Sequence, residues 1–244
     1  MTDKKNLRKA VWKQLRKVAK PDSRFHWDFS SFIPDYEGSE KACDLIRNLD
    51  LYKNASFVMI TPDNNLEVLR EYCIRDNKAF VMPTYGIVRG FTHVRRDDVP
   101  IGQETFASTL DGIDKFGKTV SLKELQQFGK VDFLVTGASV VNTEGVRFGK
   151  GHGYFDLEWA MFREIGVVNE ETPIIAVIHE CQIIDEPIDA NAYDTIVDII
   201  ATPERIIYSK KMRNKPVGVD WPALNEELLQ LDVLKELKEI KGLK

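Results

Sequence analysis

Residues 56–84 read SFVMITPDNNLEVLREYCIRDNKAFVMPT, and this stretch decides the architecture. SFVMI (56–60) is an apolar run too short for a helix and closed by Thr61-Pro62, so it predicts a buried strand. Asn64 is placed to cap a helix over 65–76, and Lys78 leads into a second apolar run, AFVMPT (79–84). Strand, helix and strand within about thirty residues make one parallel β/α unit.

Working outward, the pattern recurs. VDFLVTG (131–137), PIIAVIHE (173–180) and TIVDIIAT (195–202) are three more apolar strands, with helices predicted over 38–49 and from Ser121. Strands that are apolar throughout, rather than alternating, are covered on both faces. The expected fold is therefore α/β, with three layers around a mainly parallel sheet. At the start, Leu7, Val11, Leu15 and Val18 recur at helical spacing among Lys and Arg, predicting an amphipathic basic helix over 4–19 that Pro21 ends. In the tail, Leu224, Leu228, Leu231, Val233, Leu234, Leu237 and Ile240 suggest one stripe on a single long helix over about 222–243. Residues 86–120 scatter Gly, Asp and Pro with no sustained period, and are expected to be an irregular binding loop near the substrate pocket. With no repeat and no low-complexity linker, a single domain over 1–244 is the simplest organisation.

The composition, 43% hydrophobic and 30% charged over 244 residues, excludes a disordered, collagenous or disulfide-scaffold chain. No window approaches a membrane span, and MTDKKNLRKAVWKQLRKVAK lacks the apolar core of a secretory signal, so no membrane partner and a cytoplasmic location are expected. Cys43, Cys73 and Cys181 are odd in number without a C-x-x-C pair, and are expected reduced and buried. A net charge of −4 gives no case for nucleic acid. The first twenty residues nevertheless carry eight Lys or Arg against one Asp, a local excess that asks for an anionic partner or a solvated helix face.

GVRFGKGHGYFD (145–156) is the segment that carries chemistry. Glycines at 149, 151 and 153 let backbone N–H groups converge on an anion, and Arg147 and Lys150 supply the charge a polyphosphate needs. A helix beginning near Phe155 would add donors at its N-terminus. A Rossmann loop is excluded because about a dozen residues separate Val135 from Gly149, and the G-x-G-x-x-G spacing is missing. A Walker A loop is excluded because Gly151, not Ser or Thr, follows Lys150.

R-x-G-K-G-x-G-Y-x-D (147–156), K-x-x-L-R (4–8) and D-x-x-V-D-x-I-x-T-P (194–203) together resemble the 5-formyltetrahydrofolate cyclo-ligase, or methenyltetrahydrofolate synthetase, family. IPDYEGSEKA (33–42), GKGHGYFDLEWAMF (149–162) and ETPIIAVIHECQIID (171–185) are similar to its methenyltetrahydrofolate synthetase domain-containing branch. The resemblance implies a NagB/RpiA-like α/β/α scaffold and an ATP- and Mg2+-dependent reaction. ATP phosphorylates the formyl oxygen on N5 of the folate, N10 attacks the activated carbon, and phosphate leaves to give 5,10-methenyltetrahydrofolate. It implies that Lys4, Arg8, Arg147, Gly149, Lys150, Gly151, His152, Gly153 and Tyr154 bind ATP, with Arg147 and Lys150 catalytic. Glu67, Lys150 and Tyr154 would border the substrate, and Asp156 and Asp194 would hold the metal. Monomer and homodimer both fit. Without the motif, Lys4 and Arg8 read equally as a solvated helix face and Asp156 as a helix cap.

The segment TGASVVNTEG (136–145) departs from the family pattern at Thr136, Ser139 and Asn142, as does TYGIVRGFTHV (84–94). The phosphate and metal positions are kept, so ATP is the better supported ligand. The alternatives are a paralogue acting on another small substrate, including a thiamin-related one that the branch's associations suggest, and a nucleotide-binding module without turnover.

Overall fold

A computed structural model describes residues 3–210 and 212–243. The strands are β1 (Phe57–Ile60), β2 (Ala79–Pro83), β3 (Phe91–Val94), β4 (Lys118–Val120), β5 (Leu134–Gly137), β6 (Val140–Asn142), β7 (Arg147–Phe148), β8 (Ile174–Val177), β9 (Ile183–Ile184), β10 (Ile199–Ala201) and β11 (Ile206–Tyr208). The helices are α1 (Lys4–Leu15), α2 (Ser39–Asn48), α3 (Asp50–Asn54), α4 (Glu67–Arg75), α5 (Glu104–Ala107), α6 (Leu110–Phe116), α7 (Leu122–Phe128), α8 (Tyr154–Glu164), α9 (Glu226–Leu229) and α10 (Asp232–Lys241).

The five apolar runs form the parallel centre of an eight-stranded sheet, ordered β11-β10-β8-β5-β1-β2-β3-β4. Val58 pairs with Phe80, Met59 with Leu134, Val135 with Ile175 and Ile175 with Ile199, all in parallel register. Successive residues serve opposite faces. Phe57, Met59, Leu134, Ile174 and Ala176 pack against α7, α8 and α10, while Val58, Ile60, Val135, Ile175 and Val177 pack against α2 and α4. Two cores on one sheet give the three layers expected. Trp159 of α8 is fully buried and donates its indole N–H to Pro216 O at 2.8 Å, tying that helix to the segment that follows β11. Among the described residues, no helix is long and apolar enough to cross a membrane.

Several expectations are corrected. Residues 86–120 are not an irregular loop: β3 and β4 extend the sheet antiparallel, Met82 facing Thr92 and Thr92 facing Thr119, with α5 and α6 packed over it. Four-residue strands between short helices are below the length at which periodicity declares itself. The amino-terminal helix stops at Leu15, because the chain turns so that Ala19 can bridge Tyr36. Asn64 does not cap α4; its amide donates to Asp22 Oδ2 at 2.7 Å, and a 3-10 turn over Asn64–Leu66 precedes the helix. The tail is two helices. In one continuous helix, at roughly 100° per residue, Leu224, Leu228 and Leu231 would lie about 180° from Val233, Leu237 and Ile240. An extended Leu231 resets the phase, and Leu228, Val233, Leu234 and Leu237 are all buried in one core. Cys43 and Cys73 are buried, but Cys181 is only half-buried.

Candidate functional site

The order of the parallel strands reverses between β1 and β5: β1 continues to β2 on one side, β5 to β8 and β10 on the other. At such a switch point, loops leaving neighbouring strands diverge and open a crevice at their carboxyl ends. A cleft of about 330 Å³ lies there, in the size range of ligand sites. Thr61 and Asp63 after β1, Thr84 and Tyr85 after β2, and Thr136 and Gly137 at the carboxyl end of β5 line it.

The opposing wall is cationic. Lys4 and Arg8 sit one turn apart on α1, and both line the cleft. Arg147 is the first residue of β7, paired antiparallel to Val141 of β6 in a small second sheet that buries it to 5% exposure. Its guanidinium lies over the Phe155 ring, 4.6 Å from the centroid, and grips both oxygens of Asp156. Asp156 Oδ1 also accepts the Thr195 N–H at 2.8 Å. Lys4 pairs with Asp194 at 2.9 Å, and the same Asp194 oxygen accepts the Asn191 N–H at 2.8 Å. Arg8 and Lys150 differ. Among the described residues neither forms a salt bridge: Arg8 donates to Gly149 O and Lys150 to Ser31 O, both at a long 3.4 Å. Two cations without a carboxylate partner, beside a glycine loop, are what an incoming polyanion needs.

The loop itself is built for close approach. Gly151 has φ +114°, and a Cβ there would stand 3.2 Å from Arg8 Nη1. Gly153 has φ +74° and is the residue before α8, so the free N–H groups of that helix open beside the loop. His152 stacks on Tyr154, ring centroids 5.4 Å apart. Burial raises the Tyr154 phenol above its ordinary value and pulls the Arg8 guanidinium below its own.

The structure thus brings Lys4, Arg8, Arg147, Gly149, Lys150, Gly151, His152, Gly153, Tyr154, Asp156 and Asp194 into one cleft. Glu67 is not among its lining residues. It heads α4 beside Arg70 and Arg24, and burial raises its carboxyl above the usual range. Of the departures from the family pattern, Thr136 faces the cleft, as do Thr84, Tyr85 and Gly86 at the start of the 84–94 segment. Ser139 accepts the indole N–H of Trp12 on α1 at 3.1 Å, tying the segment to that helix, and Asn142 Oδ1 accepts the N–H groups of Glu144 and Val146, shaping the turn before β7.

Sequence reasoning missed Asp63, Tyr85 and Glu158. Asp63 Oδ2 accepts from Thr61 Oγ1 at 2.6 Å and Gly137 N at 2.8 Å, tying the ends of β1 and β5 together. Its signal was available: an acid just past the carboxyl end of the first strand. Glu158, on the inward face of α8, is 4% exposed, with its carboxyl pushed up to about 8 mainly by burial and then by Asp63. An acid inside LEWAMF, an otherwise apolar helical run, was the clue to it. Asp156 and Asp194 provide the hard oxygen donors that suit Mg2+. Among the described residues no group of three or more His, Cys, Asp or Glu could hold a metal ion, and both carboxylates are paired with cations, Asp156 with Arg147 and Asp194 with Lys4.

These features define a doubly wound α/β protein with a cation-lined cleft at its switch point. The profile of the 5-formyltetrahydrofolate cyclo-ligase family matches residues 1–203, and the chain belongs to that family. It is 29% identical over 239 residues, 96% of its length, to the human methenyltetrahydrofolate synthase domain-containing protein, and 31% identical over 240 residues, 97% of its length, to that of Danio rerio. The chain spans 61% and 62% of the length of those two relatives. The solution structure of 5,10-methenyltetrahydrofolate synthetase from Aquifex aeolicus superposes with a TM-score of 0.52 at 18% identity, covering 85% of this chain and 93% of that one, which shows a shared fold.

Proposed function

We propose that the chain is an ATP-dependent cyclo-ligase-like enzyme, converting 5-formyltetrahydrofolate and ATP to 5,10-methenyltetrahydrofolate, ADP and phosphate. One observation carries the reading: Lys4, Arg8, Arg147 and Lys150 converge with the 149–153 glycine loop on one cleft, and two of the four cations have no carboxylate partner among the described residues. The formyl oxygen attacks the γ-phosphorus and ADP leaves; N10 then attacks the formyl carbon, the phosphate departs with its oxygen, and N10 loses its proton. Oxygen bound to carbon is a poor leaving group until it is phosphorylated, so the protein has mainly to align the reactants and neutralise charge.

In this reading Lys150 and Arg8 turn from Ser31 O and Gly149 O to the phosphates, and the N–H groups around Gly151 and Gly153 cradle them. Arg147, buried and pre-oriented by Asp156, faces the transferring group, where a fixed cation stabilises developing charge without reorganising. Mg2+, held by Asp156 and Asp194, would neutralise polyphosphate charge. Tyr154, which lines the cleft with Tyr85, borders the acceptor substrate; the substrate-side role expected of Glu67 gains no support from its position. The location inside the cell and the oligomeric state do not enter this reading.

The test incubates the protein with 5-formyltetrahydrofolate, Mg2+ and ATP while following methenyl absorbance and ADP release together. Both signals, in equal amounts, are expected. ATP binding with neither signal would leave a nucleotide-binding module and overturn the folate assignment.

A further inference from the structure

Glu158 has a role that nothing in the cation-rich wall explains. It is 4% exposed, lies between the buried Leu157 and Trp159 on α8, and still lines the cleft. Its Oε2 is fully buried and has no hydrogen-bond partner. The charges it senses are Asp63, Arg147, Lys150 and Asp156. None is a hydrogen-bond partner: Asp63 is occupied by Thr61 and Gly137, Arg147 by Asp156, and Lys150 reaches Ser31. A buried polar atom left unsatisfied costs free energy, and at the edge of a cleft a bound ligand can supply the missing donor.

Triphosphate oxygens carry no hydrogen-bond donor to offer an acceptor oxygen, so the donor belongs to the other reactant. Tyr85, with Lys150 over its ring, and Tyr154, stacked on His152, also line the cleft and give it aromatic surface that suits a planar ring. We propose that Glu158 is a specificity-determining residue whose free carboxyl oxygen accepts a hydrogen bond from a ring or exocyclic N–H of a heterocyclic substrate. The inference rests on the reading of the cationic wall as the triphosphate site. It does not depend on ionisation, since a carboxyl keeps an acceptor oxygen in either state. A site built to meet an N–H discriminates strongly, because an analogue lacking that group leaves the carboxyl buried and unpaired.

The experiment compares wild type with Glu158→Met, which removes the acceptor at similar volume, and Glu158→Gln, which keeps one acceptor oxygen. With ATP and Mg2+ present, ligand-observed NMR titrates 5-formyltetrahydrofolate, isocytosine and 4-amino-2-methylpyrimidine. Wild type is expected to bind at least one. Glu158→Met should weaken that binding tenfold or more, leave the ATP Kd within twofold, and keep or raise Tm, because an unpaired buried acid has been removed. Glu158→Gln should recover part of the loss. The proposal is overturned if Glu158→Met binds the probes within twofold of wild type, if it loses Tm along with ATP and probe binding, or if wild type binds ATP and none of the three. Absence of ATP binding by wild type would sink the nucleotide reading instead, and titration without ATP would then decide Glu158 by the same criteria.

Discussion

Gly151→Ala isolates the glycine loop from the charges around it. At φ +114° the backbone occupies a region that L-residues adopt at a cost of about 1–3 kcal/mol. For a chain of this size 1 kcal/mol moves Tm by roughly 2–4 °C, so the substitution should lower Tm by about 2–12 °C. The new Cβ would stand 3.2 Å from Arg8 Nη1 and 3.4 Å from Nη2, the far end of a flexible side chain, so the clash is relieved by displacing Arg8. Losing one charge-assisted contact to phosphate should weaken ATP about tenfold or more. Gly149→Ala is the internal control: nothing lies within 4 Å of its Cβ position and its φ is not left-handed, so its Tm should shift by about 2 °C or less. Thermal unfolding by circular dichroism and ATP titration by calorimetry read both variants. In an Arg8→Ala background the effect of Gly151→Ala on ATP affinity should largely vanish, since both act through one guanidinium. Equal Tm shifts for the two glycines, or an undiminished ATP effect without Arg8, would refute this account of the loop.

Other predictions separate scaffold from site. Lys215 pairs with Asp198 at 2.8 Å, with side chains 1% and 6% exposed, and donates to the Glu170 and Thr172 carbonyls. Lys215→Met should therefore cost about 3–5 kcal/mol in urea unfolding, with the ATP Kd of the folded fraction unchanged. Asp98 is held well below the usual carboxylate range by its hydrogen bond to Arg95 and by Lys118. Because its folded pKa is depressed, its stabilisation is complete above the unfolded value of about 3.9 and is lost as pH falls through the folded one. The Tm gap between wild type and Asp98→Asn should hold between about pH 5 and 8 and narrow progressively as pH falls below about 4. Asp156→Asn keeps an oxygen for the Thr195 N–H, so it should fold, yet turnover should fall about tenfold or more and lose its dependence on Mg2+ concentration; a titration of rate against Mg2+ checks this.

The parallel centre of the sheet was legible because each of its strands is apolar on both faces, a pattern that survives without knowledge of neighbours. Phe91–Val94 and Lys118–Val120 were not, since short antiparallel strands towards the sheet's edge take their identity from the strands they pair with. The tail misled because Leu228 and Val233 both looked core-facing, and only the phase between them betrays the break at Leu231. In the cleft, Arg147 to Asp156 stood out as one contiguous motif. Asp63, Tyr85 and Glu158 come from three separate segments, and only the fold brings them together. Glu67 marks the converse: a plausible residue at a helix start that the packing leaves outside the cleft lining.

The central claim is that the cationic cleft receives the triphosphate of ATP, and calorimetric titration of ATP and AMP into wild type and an Arg8→Ala/Lys150→Ala double variant tests it most directly. The account predicts that wild type binds ATP well above AMP, that added salt weakens ATP binding, and that the double variant, still folded, loses ATP affinity by about a hundredfold from two charge-assisted contacts. Equal affinity for ATP in wild type and double variant would contradict it.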